Sequence, residues 1–288
     1  MRSLLRVALL LALAAMLALP AAASAQTTMS TGLTRVAGFP GTTGVTNSDL
    51  AFWGNYMYWG TYSGFRVFDI SNPAAPVQLS NVICTTLPGS AGQGDISVWG
   101  NLVFRSVDTP QTTPDCATRR STVGSVPGWE GVEIFDATNK AAPVQIKTVA
   151  TDCGSHTHTL VPDLANNRVL LYVSSYPASG FGASTFGNQC SRPHNKISII
   201  EVPLNAPGNA SVINTAPLNT APSSIFGAAS PGTPFQACHD ITVFMQLRLA
   251  AGACVSEGVI FDISDPANPT VRNRLVNPDI DVCGRALP

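Results

Sequence analysis

The sequence predicts an all-β chain of repeated four-stranded antiparallel units, and three observations predict it. One turn recurs: FDISNPAAPVQL from Phe68, IFDATNKAAPVQI from Ile134 and IFDISDPANPTV from Ile260. Aligned on the acid that closes each apolar run, the copies fall at Asp69, Asp136 and Asp262, and KISIIEVPLNAPGNASV puts Glu201 about midway between the last two. Such internal periodicity identifies a repeat architecture before any fold is named. Short alternating runs are joined by tight Gly-Asn turns, the signature of hairpins. The composition agrees: 24 glycines, 22 prolines and only 11% charged residues suit many turns better than long helices.

The elements follow in chain order. Residues 1–25 place Arg2 and Arg6 before an apolar run from Val7 to Leu19, then Ala23-Ser24-Ala25. That is the pattern of a cleaved signal peptide. An uncleaved anchor would need a span of roughly 20 apolar residues. The first unit opens with DLAFW, turns at Gly54-Asn55 and returns as YMYWG; the second repeats this as DISVW, Gly100-Asn101 and LVFRS. GVEIFD from Gly131 has a continuous apolar centre, which suggests a third strand buried on both faces. Asp, Ser, Asn and Pro then make a turn, because Asp and Asn accept local backbone N–H bonds and Pro fixes φ. PVQIKTV from Pro143 supplies a fourth strand. The expected units are 48–83, 94–150, 156–213 and 239–277.

Four antiparallel strands per unit with apolar faces, repeated in tandem, describe the blades of a β-propeller, each sheet packing on its neighbours. A sandwich would not repeat its motif, and units this long exceed a solenoid coil. The motifs VFDISNPAAPVQL, EIFDATNKAAPVQI and VIFDISDPANPTV resemble the LVIVD-repeat family of secreted or cell-surface β-propeller proteins. The resemblance implies fold and surface location and carries over no catalytic residue. Two departures are visible: Glu201 replaces the aspartate in the third unit, and the repeats stop after the fourth. An incomplete propeller of about four blades is therefore expected; closure by four blades or by association is the alternative.

The short a-to-b and c-to-d turns share one propeller face, and the connections 107–130, 174–195 and 214–237 load the other, where binding usually resides. Seven cysteines follow the signal-like segment without a C-x-x-C pair, so disulfides are expected rather than zinc knuckles. Repeat equivalence predicts Cys84–Cys116, Cys153–Cys190 and Cys238–Cys254, leaving Cys283 over. Cysteine count alone leaves the pairing open.

The same alignment places Asp49, Asp95, His158 and Asp240 at the first position of each innermost strand, near the mouth of the long-loop face, with His156 and His239 beside them. Carboxylates suit a divalent cation such as calcium, and imidazoles suit a transition metal. Period two in His156-Thr157-His158 would put both rings on one side of a strand. Strand-end capping by Asp is the competing explanation. His156, His239 and Trp129, the last placed inside a long loop, are the ligand-binding candidates. Glu130 and Glu257 begin third strands, where solvation is expected; Trp53 and Trp99 match between units and suggest inter-blade packing.

A net charge of −1 leaves no basic surplus for phosphates, so no nucleic-acid partner is expected. No later apolar run is long enough to span a bilayer. The sequence also lacks a G-x-S-x-G elbow, an H-E-x-x-H helix and a phosphate-binding loop. The leading expectation is a secreted or cell-envelope propeller that binds an extracellular protein or glycan. A metal-dependent hydrolase or lactonase-like enzyme, with Asp49, Asp95, His158 and Asp240 as its cation site, is the alternative; a calcium site that only stiffens the loops is a third.

Overall fold

A computed structural model of the chain describes residues 32–39, 45–85, 93–117, 128–175, 194–218, 238–254 and 257–276. The chain divides into two units, Met1–Gly38 and Phe39–Pro288, and every strand belongs to the second. Its strands form four separate four-stranded antiparallel sheets. The first blade comprises β1 (Asn47–Trp53), β2 (Tyr56–Thr61), β3 (Gly64–Asp69) and β4 (Val77–Ile83). The second comprises β5 (Ile96–Trp99), β6 (Leu102–Gln111), β7 (Trp129–Asp136) and β8 (Val144–Ala150). The third comprises β9 (Thr157–Asp163), β10 (Arg168–Ser174), β11 (Lys196–Pro203) and β12 (Ser211–Pro217). The fourth comprises β13 (Cys238–Phe244), β14 (Leu249–Cys254), β15 (Glu257–Asp262) and β16 (Thr270–Val276).

The repeated turn is built from two successive side-chain caps. Asp69, Asp136 and Asp262 each accept the N–H two residues on through Oδ1, at 2.8 Å in every blade that carries the motif. Asn72, Asn139 and Asp265 do the same three residues later, each at 3.1 Å. The third blade, which lacks the motif, uses a 3₁₀ turn at Pro207–Asn209 instead. In all four blades the residue after the third strand (Ile70, Ala137, Leu204, Ile263) donates its N–H to a carbonyl in the a-to-b turn (Asn55, Asn101, Asn167, Arg248). That bond holds both short turns on one side of each blade. A left-handed residue is needed there, supplied by Gly54 and Gly100 in two blades and by Asn167 and Arg248 in the others.

The core lies between blades, because alternate residues of the middle strands face opposite neighbours. One cluster joins Tyr58, Phe65 and Val67 to Ile96, Val103 and Phe135; a second joins Phe104, Val132 and Ile134 to Val169, Leu171 and Val202. A third joins Leu170, Tyr172 and Ile199 to Ala250, Val259 and Phe261. Among the described residues three such interfaces join the four blades, as in an incomplete propeller. Phe65 meets Phe135 edge-on at 4.9 Å, and Trp53 and Trp99, the matched tryptophans, sit 5.2 Å apart.

One polar element crosses the first interface. Arg105 is fully buried; its Nη1 donates to Glu133 Oε2 at 2.6 Å while Nε and Nη2 donate to the carbonyls of Gly64 and Thr61 in the neighbouring blade. Nothing in the sequence distinguishes this arginine from a solvated one. The same blades are joined by Cys84–Cys116, and β13 is joined to β14 by Cys238–Cys254. The second pair sits at strand ends, where the two cysteines are direct cross-strand partners, rather than in loops. Cys153 is disulfide-bonded as well; Cys190 and Cys283 lie outside the described residues.

Two expectations are corrected. Trp129 is not inside a loop: β6 continues to Gln111, and Trp129 pairs with it as the first residue of β7. Glu130 and Glu257 are not solvated but buried, at 6% and 7% exposure, although each stands at or next to the start of its strand.

Candidate functional site

The site is assembled by the first residues of the innermost strands. Asp49 lies in β1, Asp95 immediately precedes β5, His158 lies in β9 and Asp240 in β13. Asp95 is the centre of the group. Its Oδ2 accepts the backbone N–H of His158 at 2.9 Å and lies 3.3 Å from His158 Nδ1. Burial pushes its carboxyl up to about 7; the His158 N–H opposes this, and the neighbouring carboxylates of Asp49 and Asp240 reinforce it. One carboxyl of each of three different blades therefore occupies a single electrostatic neighbourhood.

His158 closes the floor of this group. Its ring is hydrogen-bonded on both nitrogens, Nε2 to Ser97 Oγ at 2.7 Å and Nδ1 to Ser106 Oγ at 2.8 Å, and Ser106 continues to Ser155 Oγ. Burial pulls it down to about 4, so the imidazole is neutral at physiological pH. It links the second and third blades. Thr157 Oγ1 then donates to the His239 carbonyl and Thr159 Oγ1 to the Ile241 carbonyl at 2.5 Å, fastening the third inner strand to the fourth.

A second layer lies toward solvent. His156 immediately precedes β9 rather than belonging to it. Its Nδ1 bonds Asp108 Oδ2 at 2.6 Å, and its Nε2 lies 3.2 Å from His239 Nε2. His239 Nδ1 bonds Asp240 Oδ2 at 2.7 Å. That bond raises the His239 imidazole above its ordinary value against the opposing effect of burial, and holds the Asp240 carboxyl below its own. The side chains of His239 and Asp240 are 40% and 63% exposed, whereas those of His156 and Asp108 are 17% and 19% exposed, so the layer opens toward the fourth blade.

All four aligned residues and both flanking histidines thus share one end of the blades, while Trp129 enters from the start of β7. Asp108, Ser97 and Ser106 went unnoticed in the sequence. Asp108 lies in the stretch read as a loop from Val107, which β6 instead spans as far as Gln111; no regular alternation marks the extension. Glu257 lies 3.7 Å from Arg274. Among the described residues, two groups gather three ligand-type atoms within 4.8 Å: Cys84, Cys116 and Glu133, and Asp152, Cys153 and His194. Both include disulfide-bonded sulfur, which is not a thiolate ligand.

The fold and this site define a class: a disulfide-stapled, propeller-like repeat protein with a polar cluster where its inner strands begin. The family comparison specifies it further. The LVIVD repeat model matches residues 46–83, the whole first blade, and 253–275, which covers the last two strands of the fourth. Over those two stretches the chain carries LVIVD-type repeats. No curated protein matches it. Similar solved structures include a protein from Lactobacillus plantarum, at 12% identity over 79% of this chain and 70% of that one, with a TM-score of 0.38. A hypothetical selenium-binding protein from Sulfolobus tokodaii is 13% identical over 77% of this chain and 59% of its own length, with a TM-score of 0.34. AztD from Citrobacter koseri is 11% identical over 81% and 71%, with a TM-score of 0.29.

Proposed function

We propose that this protein is a secreted or cell-envelope propeller that binds an extracellular protein or glycan through its long-loop face. The observation that carries the reading is the gathering of Asp49, Asp95, His158 and Asp240, Asp95 accepting the His158 N–H and feeling the charges of Asp49 and Asp240. A surface with only a structural task would keep like charges apart, since juxtaposed carboxylates cost stability. Residues 1–25, with their signal-like pattern, and the disulfides support an extracellular location. Among the described residues no helix is long and apolar enough to cross a membrane.

The test compares the two faces. Labelled protein is applied to glycan arrays and to extracellular protein fractions, with Trp129→Ala on the long-loop face and Lys140→Ala on the short-turn face. Capture lost in the first variant and kept in the second supports the reading. Capture that depends on Lys140 and not on Trp129 contradicts it.

A second reading is cation-assisted hydrolysis, favoured by the same convergence of carboxylates around one neutral imidazole. In it the carboxylates would hold a cation able to polarise a substrate oxygen, and Asp95 would take or hold a proton. Turnover of lactone or ester substrates that vanishes in Asp95→Asn supports this reading; no turnover with any added divalent cation removes it.

A further inference from the structure

The outer layer of the mouth contains two imidazoles from neighbouring blades whose Nε2 atoms are 3.2 Å apart, with ring centroids 4.9 Å apart and planes at 71°. Each ring is held from behind. A carboxylate oxygen only accepts, so Nδ1 of His156 donates to Asp108 and Nδ1 of His239 donates to Asp240. In neutral rings this tautomer turns both Nε2 lone pairs toward the same point. Two lone pairs brought face to face repel unless a positive centre stands between them.

We propose that His156 and His239 hold a divalent transition-metal ion through their Nε2 atoms, with Asp108 and Asp240 as the carboxylates that orient them. Three features carry this. Ligands about 2.0–2.1 Å from a tetrahedral zinc lie about 3.3–3.4 Å from each other, close to the spacing of the two Nε2 atoms. A carboxylate behind the far ring nitrogen is the usual device for fixing the tautomer and direction of a metal-binding histidine, and here both rings have one. Imidazole donors select zinc, copper or nickel over calcium. The carboxylate and His158 set expected from the sequence fits less well, because both nitrogens of His158 are engaged by serine hydroxyls inside the protein. With His239 and Asp240 open to solvent, the remaining coordination positions face the mouth, where a ligand's oxygen or nitrogen would enter.

The inference rests on the reading of the long-loop mouth as the functional end, and its test fails separately from that reading. Purified protein stripped with a chelator is titrated calorimetrically with Zn²⁺, and with Ca²⁺ for comparison. Stoichiometric Zn²⁺ uptake is expected, with none of Ca²⁺ at this site. His239→Ala and His156→Ala should abolish it, and Asp240→Ala should weaken it by about 10–100-fold. Asp152→Asn, which alters the separate Asp152, Cys153 and His194 group, should leave it unchanged; circular dichroism verifies that each variant is folded. Absence of Zn²⁺ uptake, as expected if a shared proton fills the gap, overturns the inference, as does wild-type affinity retained in both histidine variants or loss in Asp152→Asn. Partner capture that persists without Zn²⁺ uptake sinks the metal and spares the binding reading; Zn²⁺ uptake with no partner of either kind does the reverse.

Discussion

At the scale of the residue, the recurring aspartate acts through its lone pairs and not through any substrate. Asp69, Asp136 and Asp262 each hold one N–H of the following turn, and the bonds keep all three carboxyls below the ordinary carboxylate value. A depressed carboxyl contributes stability above its unfolded value, about 4, and loses it as pH falls through the folded value. Replacing all three by Asn keeps the acceptor and removes the titration. The triple variant should be less stable than wild type at neutral pH and lose less on acidification below about pH 4, the two converging once the carboxyls are protonated, as followed by thermal unfolding. An unchanged acid limb would mean that the turns carry no net electrostatic stabilisation. Asp136→Ala removes the acceptor itself, together with the Thr138 hydroxyl bond. Its expected cost is about 1 kcal/mol or less, because the turn is exposed. This turn chemistry was legible in the sequence because an Asx turn is local: acceptor and donor are two residues apart.

At the scale of the element, what joins one blade to the next is partly polar, and that part was not legible. Strand alternation revealed which runs pair and which faces are apolar, but Arg105 and Glu133 look like ordinary strand charges until their neighbours are known. Fully buried, Arg105 ties β6 to β7 and to the end of β2 in the first blade. Arg105→Met should cost about 3–5 kcal/mol by stranding Glu133 in the core, and Glu133→Gln added to it should recover part of that loss. Chemical denaturation of the single and double variants measures both. A cost no greater than that of a surface pair would show Glu133 to be hydrated after all. Removing Cys84–Cys116 by paired alanines should cost about 2–4 kcal/mol at the same interface. The burial of Glu130 and Glu257 escaped sequence reading for the same reason as Arg105: the cover comes from residues far along the chain.

At the scale of the whole molecule, repeat phase carries most of the information. Counting from each motif aspartate located the inner strands, and the structure brings Asp95 together with Asp49, His158 and Asp240 from the other three blades. The sequence could align these residues without revealing depth, so it did not separate a buried, serine-held His158 from a half-open His239. It also left strand capping and function as rival explanations of Asp95. Stability against pH separates them in protein kept free of metal by a chelator. Asp95 is an acid whose folded value is raised, so its contribution is present below the unfolded value and is lost as pH rises toward about 7. His158, with its value lowered to about 4, contributes in the opposite direction over much of the same range. The difference between wild type and Asp95→Asn isolates the carboxyl, because His158 is common to both and Asn still accepts its N–H. The variant should gain on wild type as pH rises from about 4 to about 7, reaching on the order of a few kcal/mol, and the gain should then level off. A variant less stable than wild type by a constant amount at every pH would make Asp95 a strand cap and rule out a functional carboxyl there.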